Sequence, residues 1–183
     1  MCAAHRRSEA PFAGPDAVAP PSAPPRAPGR RDRWRAARAR RRGVVVGDGV
    51  VVGRDVVFDL DAGAHLELGD GVALSDGCRF HLAAGAVVRV GPRTMLGDRC
   101  AVTARTTVTI GARCVLGDEV VIIDAAPLFE DPERPVREQG LAAAPISVGD
   151  DVRLGPSAAL LCGAHVAAGA VVPAHTVLGA AVR

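Results

Sequence analysis

Residues 148–179 read VGDDVRLGPSAALLCGAHVAAGAVVPAHTVLG, and the spacing within this stretch decides the fold. Aliphatic residues stand at Val148, Leu154, Leu160, Val166, Val172 and Leu178, six apart without a break. An amphipathic helix repeats near 3.6 residues and a half-buried strand repeats every 2, so neither produces this pattern. Two residues before each aliphatic site stand Ile146, Val152, Ala158, Ala164, Ala170 and Thr176, none of them charged. A fixed internal period marks a solenoid, in which each unit buries its apolar face only against its neighbours. Three short strands joined by tight corners close a triangular coil in eighteen residues, with hydrogen bonds running from coil to coil at about 4.8 Å.

The same register extends towards the N-terminus. It runs through Val46, Val52 and Phe58; Leu68, Leu74 and Phe80; Val90, Leu96 and Val102; and Ile110, Leu116 and Ile122. All eighteen register positions are apolar, where the 49% hydrophobic composition would place about nine. Glycine follows ten of them, against about two expected from 21 glycines in 183 residues. The breaks add four residues after Phe58, four after Phe80, two after Val102 and twenty after Ile122. Each break falls after the third hexapeptide of a coil, so the extra residues are expected to emerge at one edge of a six-coil prism. Residues 44–183 therefore read as one all-β, parallel β-helix domain with a long protruding loop over 124–145.

Residues 1–43 have a different texture. The first 29 are rich in Pro, Ala and Arg and bury too little apolar surface to offset their ordering entropy, so disorder is expected there. The run Arg30–Arg42 has the composition of a short helix, read as a solvated lead-in rather than a contact for RNA or anionic lipid. Residues 1–42 carry a net charge of +8 and residues 43–183 a net −6, so the overall +2 is no sign of a nucleic-acid surface on the body. All 22 basic residues are arginine, and aromatic residues make up 3% of the chain, so the core must be aliphatic.

Cys78, Cys100 and Cys114 fall in the small inward column, where a thiol acts as a compact hydrophobe. Cys162 lies outside that column and is expected to be partly exposed. With Cys2 the count is odd, and no C-x-x-C pair occurs, which favours a reducing, cytoplasmic setting over a disulfide or metal framework. No apolar run is long enough to span a bilayer.

From Val44 to Arg183 the pattern resembles the hexapeptide-repeat acyltransferase superfamily. Cys114-Val115-Leu116-Gly117, the following loop with Glu133-Arg134-Pro135-Val136-Arg137-Glu138-Gln139-Gly140, and Ser147-Val148-Gly149-Asp150 look like the maltose and galactoside O-acetyltransferases. The resemblance implies a left-handed β-helix, a homotrimer, and acetyl-CoA or another acyl-CoA as co-substrate. It also implies a sugar or other small hydroxylated acceptor, with no nucleic-acid or membrane partner. In such enzymes a histidine just before the loop deprotonates the acceptor, and imidazole suits that task because its pKa lies near neutrality.

Here the corresponding segment is Asp124-Ala125-Ala126-Pro127, so Pro127 occupies the histidine position. Asp124, taken as an exposed carboxylate, and His81 are the substitute bases that the spacing offers. His65, His165 and His175 read as exposed turn residues. The resemblance places CoA along Gly155, Ser157, Ala158, Ala168 and Gly169. It assigns Arg134, Arg137, Glu138 and Arg153, the last where relatives carry tryptophan, to acceptor or subunit contacts. Two functions follow: an acyl-CoA-dependent O-acyltransferase, or a catalytically inactive scaffold that partners an active paralogue. A zinc-dependent carbonic anhydrase of the same fold needs three converging histidines, and the spacing here is wrong for that.

Overall fold

Six residues carry the chain along one side of a prism and round one corner, and three such steps return it above its starting point. A computed structural model describes residues 29–128 and 131–179 as a parallel β-solenoid of six coils. The segment 1–28, expected to be disordered, lies outside the described residues.

The first sheet stacks β1 (Val45–Val46), β4 (His65–Leu68), β7 (Val87–Val90), β10 (Thr107–Ile110), β15 (Ile146–Val148) and β18 (His165–Val166). The second stacks β2 (Val51–Val52), β5 (Ala73–Leu74), β8 (Met95–Leu96), β11 (Val115–Leu116), β16 (Arg153–Leu154) and β19 (Val171–Val172). The third stacks β3 (Val57–Leu60), β6 (Arg79–Leu82), β9 (Ala101–Ala104), β12 (Val121–Ile123), β17 (Ala159–Leu160) and β20 (Val177–Leu178). An antiparallel pair, β13 (Ala125–Pro127) and β14 (Leu141–Ala143), forms a separate two-stranded sheet.

The register column is the core. Seventeen of its eighteen residues are buried, and the last, Leu178 in the terminal coil, is half-buried. Phe58 and Phe80 stack with ring centroids 5.6 Å apart. The corner glycines permit close approach between coils: a Cβ on Gly97 would lie 2.5 Å from Asp118 Oδ1 and 2.6 Å from the Gly117 carbonyl carbon.

Two expectations need correction. The four-, four- and two-residue breaks do not protrude. They lengthen the strands on either side of one corner, giving four-residue strands such as β3, β4, β6 and β7, while the second sheet keeps two-residue strands. The added numbers are even, so inward and outward alternation survives and Leu60, Leu66 and Leu82 join the interior. Only the twenty-residue break leaves the prism, as the β13–β14 hairpin.

The arginine run is also more than a solvated lead-in. Arg30–Arg41 forms helix α1, and Asp32, Ala36 and Ala39, on one helical face, are buried against the first coil. Each coil's N–H groups donate to the next coil's carbonyls, as Gly47 N does to Leu68 O (2.8 Å), so the first coil's carbonyls lack a preceding coil. Arginines of this segment take its place: Arg40 donates to Val46 O (2.8 Å), Arg35 to Val52 O (3.2 Å) and Arg42 to Phe58 O (3.3 Å). Those three carbonyls belong to equivalent register positions on the three sides.

Candidate functional site

The chain departs from the repeat at the corner between the third and first sheets. β12 ends at Ile123, and Asp124 begins the departure. Its carboxylate turns inward, is fully buried, and accepts the backbone N–H of Arg105 and Thr106 and the Thr106 hydroxyl, each at 2.7 Å. The expectation of an exposed carboxylate is therefore corrected: Asp124 braces the corner, and both of its oxygens are occupied. Burial is tolerated here because three donors replace the lost water.

Pro127 is exposed on β13 and pairs with Leu141, so the position where a base was expected carries a non-titrating ring. The hairpin is rooted by Ala144 N donating to Asp124 O (3.0 Å) and Gly163 N donating to Ala144 O (3.2 Å). Gln139 organises its far part, donating through Nε2 to the carbonyls of Asp131 and Arg134 and accepting the Asp131 N–H. Arg134 donates to Glu138 O at 2.8 Å, and Arg137 lies 3.6 Å from the Glu138 carboxylate, both charged groups exposed. These three residues therefore gather in one loop. Arg153 projects outward from β16, on the second sheet, and does not join them.

The five residues assigned to CoA do not converge. Gly155, Ser157 and Ala158 surround the corner between the second and third sheets, whereas Ala168 and Gly169 turn the corner between the first and second. Ala158 is fully buried in the core and presents no surface to a ligand. Ser157 adopts a left-handed φ of 56° and Gly169 one of 71°.

His81 sits outward on β6, where Nδ1 lies 2.8 Å from Asp59 Oδ2, its partner on β3. It shares the third sheet with β12 but stands two coils below the hairpin, through the register His81 to Thr103 to Ile123.

A second imidazole pair escaped the sequence reading. His165 is not a turn residue; it lies in β18, directly opposite Ser147 of β15, with Oγ and Nδ1 2.6 Å apart. The signal was present, since both residues immediately precede register positions and lie eighteen residues apart, which is one coil.

Corner charges pair between coils. Asp76 accepts both the backbone N–H and the Nε of Arg54, and these bonds hold its carboxyl below the ordinary range. The Arg99 guanidinium donates through Nε and Nη2 to Glu119, and that of Arg113 through Nε and Nη2 to Asp151, and both carboxyls are likewise held low. The buried thiols are donors as well as fillers: Cys78, Cys100 and Cys114 reach the carbonyls of Gly97, Gly117 and Gly149 at 3.1–3.2 Å. Cys162 is buried rather than partly exposed, because the hairpin folds over it and Ala142 O lies 3.9 Å from its sulfur. Among the described residues no His/Cys/Asp/Glu group has the makings of a metal site, and no helix is long and apolar enough to cross a membrane.

No protein-family profile matches the chain. Over 95 residues, 52% of its length, it is 26% identical to a probable acetyltransferase of Mycobacterium tuberculosis, and the match spans 32% of that relative, about a third of its length. In fold it resembles AntD, an N-acyltransferase from Bacillus cereus. A single-site AntD mutant in complex with dTDP and coenzyme A superposes with a TM-score of 0.63 at 14% identity, over 77% of this chain and 76% of that one. AntD in complex with dTDP and 3-hydroxybutyryl-CoA gives 0.59 at 13% identity, over 75% and 74%. The chain is thus a parallel β-solenoid, similar in sequence to a probable acetyltransferase and in fold to an N-acyltransferase.

Proposed function

We propose that the protein transfers an acyl group from acyl-CoA to the hydroxyl of a sugar or similar small acceptor. The observation that carries this reading is a regular solenoid opened by one long hairpin at a single corner, on a chain homologous to an acetyltransferase. The AntD complexes, which hold CoA or an acyl-CoA together with dTDP, support an acyl-CoA donor and a sugar-containing acceptor class. Acetyl is the donor group to test first. Transfer needs the thioester carbonyl and the acceptor oxygen held together and a base for the acceptor proton. Arg134, Arg137 and Glu138 offer charged and hydrogen-bonding groups on the hairpin for an acceptor or a neighbouring subunit. Ser157 and Gly169 offer accessible corner backbone for a pantetheine arm, with Gly155 buried beside Ser157; since they occupy two corners, each bounds the second sheet from one end.

A homotrimer fits this reading. The outward column of the second sheet is Val51, Ala73, Met95, Val115, Arg153 and Val171, a flat and nearly uncharged face suited to packing against another copy. Free buried thiols suit a reducing compartment, and we place the protein in the cytoplasm.

Purified protein is mixed with acetyl-CoA and a panel of sugars and amino sugars, and thiol release is followed. Acceptor-dependent release supports the reading; none across the panel, with several acyl-CoAs tried, defeats it. Pro127 favours a second reading, an inactive scaffold paired with an active paralogue. That reading predicts no turnover by the wild type, and turnover gained by Pro127→His would show the remaining machinery intact. Light scattering tests assembly: a mass three times 18.7 kDa is expected, and a monomer would remove the shared-site geometry.

A further inference from the structure

We infer that His165 is the general base of this acyl transfer and that Ser147 positions its ring, an assignment that rests on the acyltransferase reading. Alternation fixes the direction of both side chains. Ile146, Val148, Ala164 and Val166 are buried, so Ser147 and His165 between them project from the outer face of the first sheet. Coil-to-coil bonds hold their backbones, with Ser147 N on Ala164 O (3.0 Å) and Gly149 N on Val166 O (2.9 Å). Ser147 Oγ then meets His165 Nδ1 at 2.6 Å.

The location matters as much as the contact. Ser147 lies three residues beyond Ala144, and His165 three beyond Cys162, the two residues through which hairpin and prism meet. The pair therefore lies on the first sheet just beyond the corner at which the hairpin leaves the prism. Other imidazoles are placed less well. His81 stands two coils below, His65 faces Val87 in β7, and His175 occupies a corner with a left-handed φ of 59°.

With Nδ1–H donating to Ser147 Oγ, the Nε2 lone pair is directed away from the pair and open to a substrate. Nε2 takes the acceptor hydroxyl proton as the oxygen attacks the thioester carbonyl carbon. The C–S bond breaks, the imidazolium returns the proton to the departing thiolate, and the products are the ester and free CoA thiol. No redox partner and no acyl-enzyme are required. Ser147 acts only through the ring, which fixes its tautomer and orientation.

The test uses the full chain with the acceptor found by the panel assay. His165→Gln is expected to lower kcat by about 10²- to 10⁴-fold with KM for acetyl-CoA within about twofold. Ser147→Ala should lower kcat by about tenfold at constant KM, and Ser147→Thr, which keeps the oxygen, should restore it. Both positions are exposed, so thermal unfolding should be unchanged, and His65→Gln should retain wild-type turnover. A His165→Gln enzyme within about twofold of wild-type kcat overturns the assignment and leaves acyl transfer standing. The same holds if His81→Gln alone abolishes turnover. An acyl adduct on Ser147 in single-turnover mass spectra overturns its positioning role. A wild type inactive with every donor and acceptor overturns both the function and this assignment.

Discussion

Asp124 and the thiols illustrate how polar atoms survive in an aliphatic core. The Asp124 carboxylate terminates β12 from inside, and removing it would strand two backbone N–H groups and a hydroxyl. Asp124→Ala is expected to cost about 3 kcal/mol or more, read by urea unfolding, with Asp124→Asn losing less. A stability change below about 0.5 kcal/mol in the alanine variant would contradict the bracing role. The thiols make a related point. Hydrogen bonding to Cys78 and burial push Cys100 well above the usual thiol range, and burial pushes Cys114 up. Cys78, Cys100, Cys114 and Cys162 should resist alkylation in the native protein and react only on unfolding. Peptide mapping that finds any of the four modified within minutes under native conditions would refute this.

At the level of the element, the corner is the recurring unit, and its charges connect one coil to the next. Asp70, Asp76, Asp98, Asp118 and Asp150 each accept a backbone N–H from the preceding coil. Arg54, Arg99 and Arg113 add ion pairs to Asp76, Glu119 and Asp151. Arg99 and Arg113 hold left-handed φ values of 56°, an unfavourable conformation for a side-chain-bearing residue. Because Asp76, Glu119 and Asp151 titrate lower in the folded chain, their stabilisation is complete above the unfolded carboxylate value near about pH 4 and fades as pH falls through the folded values. The melting temperature should therefore drop between about pH 5 and pH 2, less steeply in Asp76→Asn. These groups are exposed, so added salt should also weaken their contribution. A melting temperature flat across that acid range would remove them from the account.

For the whole molecule, the open end of the solenoid is the structural hazard. An unpaired coil offers a row of carbonyls to another chain. Helix α1 closes that end with the Ala36 and Ala39 face and with one arginine per side of the prism, so the basic segment stabilises the fold whatever else it binds. Trp34, 63% exposed with the Arg38 guanidinium 5.8 Å from its ring centroid, stays on the outer face. Ala39→Glu should undock α1, lower the melting temperature by several degrees and promote concentration-dependent association beyond that of the wild type. Light scattering unchanged at high concentration, with an unchanged melt, would show that the cap is dispensable.

The sixfold spacing by itself determined the parallel solenoid, its six coils, its core and the corner from which the hairpin leaves. The reason is local: each aliphatic residue needs only the counterpart one coil away. Composition also showed the arginine-rich segment but not its task, because the carbonyls it satisfies belong to residues up to seventeen positions away. What the chain pattern left open was the direction of side chains where the repeat breaks. Tertiary structure turned Asp124 inward, buried Cys162 beneath the hairpin and placed the CoA-assigned residues on two corners. It also set Ser147 against His165, a pairing that depends on counting coils rather than neighbours. Packing between coils decides these outcomes, and a linear motif does not record it.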